Sequence, residues 1–280
     1  MPEFLTTERP SPGVLLLRLA KAASLNTLSA GLVRELHETL ARVRDDSGTR
    51  VIVLTGEGRA FCAGIDLKGY GAPPGAAEGE GRVQAGMRVQ EHIASLTAAF
   101  RETRAPIIAA VNGPAYGGGM SLALAADLRL MAEDAAFQAS FIKRGQSACD
   151  VGLSWLLPRI TGFSRAADIM LTGRRVDARE AVEIGLASSV HPPEELLPAA
   201  LAKAEQIAEN SPFGVWMTRD VRPGARRGFA DFEVALVGPA DEICADLEER
   251  WLGICLTTLI LGGWPRPELC ARIVETAGAR

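Results

Sequence analysis

Three consecutive glycines, Gly117, Gly118 and Gly119, stand between a turn and a run of helix formers. Glycine takes backbone angles closed to other residues and lets a ligand approach main-chain N–H groups closely. The run Met120-Ser121-Leu122-Ala123-Leu124-Ala125-Ala126 after them favours helix, so the glycines fall at a helix N-terminus. N–H groups of a first turn have no intrahelical partners and the helix dipole is positive there, which suits a developing negative charge. The plainer reading is a tight strand-to-helix turn. A second small-residue turn, Arg59-Ala60-Phe61-Cys62-Ala63-Gly64-Ile65-Asp66-Leu67, follows another apolar run. Side-chain catalysts are sparse by comparison. There is no G-x-S-x-G nucleophile elbow, no G-x-G-x-x-G after a strand and no P-loop, so neither a nicotinamide cofactor nor a bound nucleotide is implied. His37 and His92 fall on helical patterns and His191 follows a strand, which reads as structural or solvated.

The elements that must position these turns follow from periodicity. Val51 to Thr55 and Ile107 to Val111 are β-branched, apolar runs that read as buried strands, one before each turn, and a single sheet could hold them side by side. Val14 to Leu19 reads as an earlier strand, left by the loop Lys21 to Leu28. Ser29 is placed to cap a helix with the stripe Leu32, Leu36, Leu40 and Val43. Residues 69 to 81 are too rich in glycine, proline and alanine to pack and read as a surface loop. Arg82 to Thr103 forms a long helix with Val89, Ile93, Leu96 and Phe100 on one face. Short strands at Leu128 to Met131 and Ala135 to Ala139 precede a loop, Lys143 to Gly152, where Asp150 reads as a cap for the next helix. A last strand closes at Val190, and helices follow at Glu194 to Glu209 and Phe213 to Arg219.

Together, strand–GRAFCAGIDL, strand–NGPAYGGGMSLALAAD and DVGLSWLLPRITG resemble the signature segments of the crotonase superfamily, the enoyl-CoA hydratases and isomerases. The resemblance covers roughly residues 14 to 220. It implies an α/β fold, a spiral of ββα units over residues 1–205 with a C-terminal helical region over 206–280 that closes the acyl pocket and builds a homotrimer or a dimer of trimers. It implies an acyl-CoA thioester as ligand, with coenzyme A part of the substrate and no separate cofactor or metal. In that family two N–H groups hold the thioester oxygen as it becomes an enolate, and the matching positions are Ala63 and Gly118. Residues around them, Ile65, Asp66, Leu67 and Gly117, would touch substrate, as would Ala23 and Leu25 in the loop that lies along the CoA. Hydratases of the family carry two glutamates, because adding water needs one group to take a proton and another to give one. Those positions here are Ser121 and Phe141. Asp150 matches the aspartate that family isomerases use to move a proton along the acyl chain, with Phe141 and Trp155 as expected pocket walls. Isomerisation is therefore the favoured chemistry. Hydration with an unplaced acid and acyl-CoA binding without catalysis are the alternatives.

Composition agrees with a globular enzyme. Over 280 residues, 48% are hydrophobic and 23% charged, enough for a sizeable core. A net charge of -4 argues against nucleic acid. Cys62, Cys149, Cys244, Cys255 and Cys270 are odd in number and widely spaced, which suits reduced thiols. MPEFLTTERPSPG has no basic region before an apolar stretch, so a cytoplasmic protein is expected. The apolar run Trp251 to Trp264 is shorter than the roughly 20 residues that span a bilayer, so no membrane contact is expected. From about Val221 the chain departs from the family pattern: Pro223, Gly224, Pro239, Gly262, Gly263, Pro265 and Pro267 interrupt any helical stripe.

Overall fold

The structure, a computed structural model, describes residues 3–77 and 79–220. The expectations for the segment after Val221 lie outside the described residues. Five strands run parallel in one sheet: β2 (Val14–Leu19), β3 (Val51–Gly56), β4 (Ile107–Val111), β6 (Leu128–Ala132) and β9 (Ser189–His191), in that order, with β1 (Leu5–Ser11) antiparallel at the β2 edge. Every residue of β3 and β4 is buried, which is why they read as unbroken apolar runs rather than as alternating ones. A smaller sheet holds β5 (Ala115–Tyr116), β7 (Ala136–Gln138) and β8 (Arg175–Asp177).

Helices supply the crossovers that parallel strands require. α1 (Ala30–Arg44) buries Leu32, Leu36, Leu40 and Val43, and the Ser29 hydroxyl accepts the Leu32 N–H at 3.4 Å. Burying each such leucine is worth roughly 1.5–3 kcal/mol, so the stripe fixes which face of α1 meets the sheet. α2 (Arg82–Glu102) buries Ile93, Leu96 and Phe100, while Val89 is only partly buried against the core. α3 (Gly118–Ala125) is buried at every position. α4 (Leu153–Thr161), α5 (Phe163–Thr172) and α6 (Ala178–Glu183) lead to β9, and α7 (Pro193–Ala208) and α8 (Pro212–Asp220) end the described chain. Arg219 on α8 donates to the carbonyls of Phe100, Arg101 and Thr103, and to Asp127 at 2.9 Å. It thereby satisfies carbonyls that the end of α2 leaves without helical partners. No helix among the described residues is long and apolar enough to cross a membrane.

Two expectations are corrected. β1 carries no strand signal in the sequence, because LTTERPS has no apolar side chain besides Leu5 and Pro10, and only Leu5 is buried. An edge strand that buries a single residue carries no apolar pattern. Asp150 does not cap α4 with its side chain. The cap residue is Gly152, at φ 76°, without a side-chain bond, and the Asp150 backbone carbonyl accepts the Leu153 N–H at 2.9 Å.

Candidate active site

β3 and β4 are parallel neighbours in register from Ile52 with Ile107 to Thr55 with Ala110, so the turns at their C-terminal ends emerge side by side. The turns then bind each other: the Cys62 N–H donates to Pro114 O at 3.2 Å and the Tyr116 N–H donates to Cys62 O at 3.0 Å. Glycine is required here on steric grounds. Gly64 sits at φ +99°, and a Cβ on it would come 2.8 Å from Tyr116 O and 3.5 Å from Gly118 N. A Cβ on Gly119 would collide with the Cys62 carbonyl. Gly117, at φ 51° and ψ -120°, has a backbone conformation that side chains disfavour.

The loop expected to lie along the CoA is joined to the first of these turns. The Ala63 N–H donates to Leu25 O at 3.0 Å, Leu28 N–H to Gly64 O at 2.8 Å, and Asp66 N–H to Leu28 O at 2.9 Å. Asn26, fully buried, holds the loop's far side. Its amide donates to Glu57 O at 3.0 Å and Ala60 O at 2.8 Å, and its Oδ1 accepts the Lys21 N–H at 2.9 Å. Asn26 therefore acts as a clamp between two loops, a larger task than the turn chemistry its type suggests.

This pairing decides which N–H groups are free. The sequence reading placed one donor at Ala63, but that N–H is already spent on Leu25. Two residues on, the Ile65 N–H donates to no atom of the described residues, and neither does the Gly118 N–H. The two lie close: the position a Cβ on Gly118 would occupy is 3.9 Å from Ile65 N. Both residues line one pocket of about 380 Å³, together with Ala63, Gly64, Leu67, Tyr116 and Gly117. Its other wall is the segment from Gln138 to Gln146, through Ser140, Phe141, Lys143 and Arg144. The Gln138 amide is tied to Gly173 O at 2.7 Å.

The remaining candidates are spread out. Phe141 lines the pocket as expected. Ser121 is fully buried on α3 and outside the pocket lining, its Oγ 3.5 Å from Gly117 O. Trp155 is likewise outside it, its ring stacked on by the guanidinium groups of Arg159 at 4.1 Å and Arg101 at 4.9 Å. Asp66 is committed to Thr27 at 3.3 Å and to the Lys68 N–H at 3.0 Å. Ala23 and Leu25 also stand outside the lining, Ala23 exposed. Asp150 is half-buried on the loop that continues from the pocket wall; its Oδ1 accepts the Val151 N–H at 2.8 Å, and its Oδ2 has no partner among the described residues. Cys62 is no nucleophile, because burial pushes its thiol up to about 12. Among the described residues no cluster of three or more His, Cys, Asp or Glu could hold a metal ion. His37 and His92 stack at 5.8 Å away from the pocket, with the Tyr70 hydroxyl 2.8 Å from His92 Nδ1. His191 sits 2.8 Å from the Ser189 hydroxyl.

Comparison with known proteins agrees with this geometry. The enoyl-CoA hydratase/isomerase family profile matches residues 9–221. The chain is 41% identical over 217 residues, 78% of its length and 74% of the other's, to the probable enoyl-CoA hydratase echA12 of Mycobacterium leprae. Among solved structures it resembles a probable enoyl-CoA hydratase/isomerase from Mycobacterium abscessus, with TM-score 0.74 and 33% identity over 91% of each chain. It also resembles a monofunctional enoyl CoA isomerase from M. smegmatis, with TM-score 0.65 and 37% identity, covering 77% of this chain and 90% of that one. The fold is that of the crotonase superfamily, and the chain belongs to the enoyl-CoA hydratase/isomerase family, enzymes that act on acyl-CoA thioesters.

Proposed function

We propose that this chain moves the double bond of an enoyl-CoA, with the Ile65 and Gly118 N–H groups receiving the thioester oxygen and Asp150 carrying the proton. The observation that carries the reading is the pair of uncommitted N–H groups on one pocket. In a 3-enoyl thioester a base takes a proton from C2 and the electron pair moves onto the thioester oxygen. Donors fixed in advance stabilise that charge without reorganising, each worth about 2.7–4 kcal/mol. The same acid then returns the proton to C4, leaving a 2-enoyl thioester; no water is consumed and one carboxylate suffices.

Hydration asks for more than this pocket offers. No carboxylate stands in its lining, and the family's two glutamate positions are a fully buried serine and a phenylalanine. Asp150 follows the pocket wall by four residues after Gln146, and one of its oxygens is uncommitted among the described residues, whereas Asp66, between the lining residues Ile65 and Leu67, is held by Thr27 and the Lys68 N–H. The reading requires the loop from Gly145 to Asp150 to turn that carboxylate toward the acyl chain. The competing reading, a hydratase, is favoured by the name of the 41% identical relative. Neither needs a cofactor beyond the CoA on the substrate. A homotrimer or dimer of trimers belongs to the same proposal, and sedimentation velocity tests it. The function test compares initial rates on one chain length: isomerisation of a 3-enoyl-CoA should exceed hydration of the 2-enoyl-CoA. Faster hydration would overturn the assignment, and absence of both would leave a binder.

A further inference from the structure

The pocket is charged in one direction only. Lys143 and Arg144 are the charged residues of its lining and no acid is among them, although the chain as a whole carries -4. Three other arginines of the described residues are committed. Arg174 is held by Asp168 at 2.6 Å and Glu180 at 2.7 Å, Arg129 donates to Ala126 O at 2.9 Å, and Arg159 donates to Trp155 O at 2.8 Å. Lys143 and Arg144 make neither an ion pair nor a side-chain hydrogen bond among the described residues, and both are exposed.

Their placement is set by backbone, not chance. The N–H groups of Arg144 and Gln146 both donate to Phe141 O, at 3.0 and 3.1 Å, and Gly145 N–H donates to Ile142 O at 3.1 Å. This winding presents Lys143, Arg144 and the Gln146 amide in succession beside Phe141, whose ring lies 3.7 Å from where a Cβ on Gly117 would be. Gly117 directly precedes the Gly118 donor. Two uncommitted cations and no counter-charge therefore face the space next to the site where a thioester oxygen would sit. Solvated cations on a surface turn are the ordinary alternative.

Resting on the thioester reading above, we propose that Lys143 and Arg144 hold an anionic group of the bound thioester. Two sources share that chemistry, a carboxylate at the far end of the acyl chain and a phosphate of the CoA. A guanidinium forms paired hydrogen bonds with either, and an ammonium adds a point charge.

The test measures Kd by calorimetry for four saturated thioesters: a methyl-ended and a carboxylate-ended acyl chain, each on CoA and on pantetheine. It uses the full chain, Lys143→Gln/Arg144→Gln and the charge-keeping Lys143→Arg/Arg144→Lys. Loss of one or two such contacts should weaken binding about three- to ten-fold, less at high salt. If the neutral variant weakens only carboxylate-ended esters, the anion is on the acyl group. If it weakens both CoA esters and spares both pantetheine esters, the anion is a phosphate. In either case the charge-keeping variant should restore most of the loss. Unchanged Kd for all four esters would overturn the proposal while leaving the thioester reading intact. Failure of the wild-type chain to bind any ester would overturn both.

Discussion

The two walls of the pocket are built on opposite principles. On one side, the turns after β3 and β4 offer main-chain N–H groups, locked by backbone pairing and by glycines that no larger residue could replace. On the other, the segment from Gln138 to Gln146 offers side chains on a turn held by few bonds, with Lys143, Arg144 and Gln146 exposed and Asp150 half-buried four residues beyond it. On the proposed reading, the backbone side stabilises an enolate whatever the side chains around it are. The side-chain side would then decide what happens to that enolate, and single substitutions there need not disturb the sheet. Relatives that share this fold are named both hydratase and isomerase, which fits a fixed first half and an adjustable second.

The largest expected effect comes from breaking the fixed side. Gly118 is the first residue of α3, a position where proline is tolerated because its missing N–H has no helical partner. Gly118→Pro should therefore keep the helix, with some adjustment of Leu28, whose Cδ1 lies 3.0 Å from the added carbon. Removing one donor should lower kcat about 10²–10³-fold. Folding can be checked by circular dichroism, and a near-normal kcat in a folded variant would mean that this N–H does not meet the oxyanion.

A smaller effect is expected at the clamp that holds the same side in place. Asn26→Ala removes three hydrogen bonds from a fully buried position at φ 55° and leaves the carbonyls of Glu57 and Ala60 and the Lys21 N–H without that partner. A loss of about 2–3 kcal/mol in chemical denaturation is expected. A loss under about 0.5 kcal/mol would show that water replaces the clamp.

The smallest effect lies away from both walls. Burial first, then the charges of His37 and Arg34, hold the His92 imidazole below its usual value of 6.5. With its folded value depressed, the unfolded chain takes up the proton first as pH falls. Its contribution to stability is therefore intact above pH 6.5 and is lost as pH drops through the lower, folded value. Denaturation midpoints between pH 8 and 5 should fall more steeply for the wild type than for His92→Gln. Parallel curves would remove His92 as the cause.

How much of this was legible in the sequence follows the same division. The strands at Ile107 and Val51, the glycine triplet and the Ser29 cap were readable, because burial and backbone geometry impose residue types directly. The uncommitted N–H of the first turn lies at Ile65, two residues on from Ala63, where the family resemblance puts the donor. Every residue of that turn has an N–H, and only the pairing of Ala63 with Leu25 shows which is consumed. Trp155 looked like a pocket wall by position, yet it is engaged by two arginines, one from α2 fifty-four residues earlier. Lys143 and Arg144 gave no signal at all, since charges on a glycine-containing turn look the same whether they face solvent or a ligand.

The account turns on Asp150 as the group that moves the proton. Asparagine keeps its shape and removes the base, so the decisive measurement is the initial rate of 3-enoyl-CoA isomerisation by Asp150→Asn, with ester binding measured on the same sample. The account predicts a loss of about 10²–10⁴-fold with Kd nearly unchanged. Full isomerisation by Asp150→Asn would contradict it.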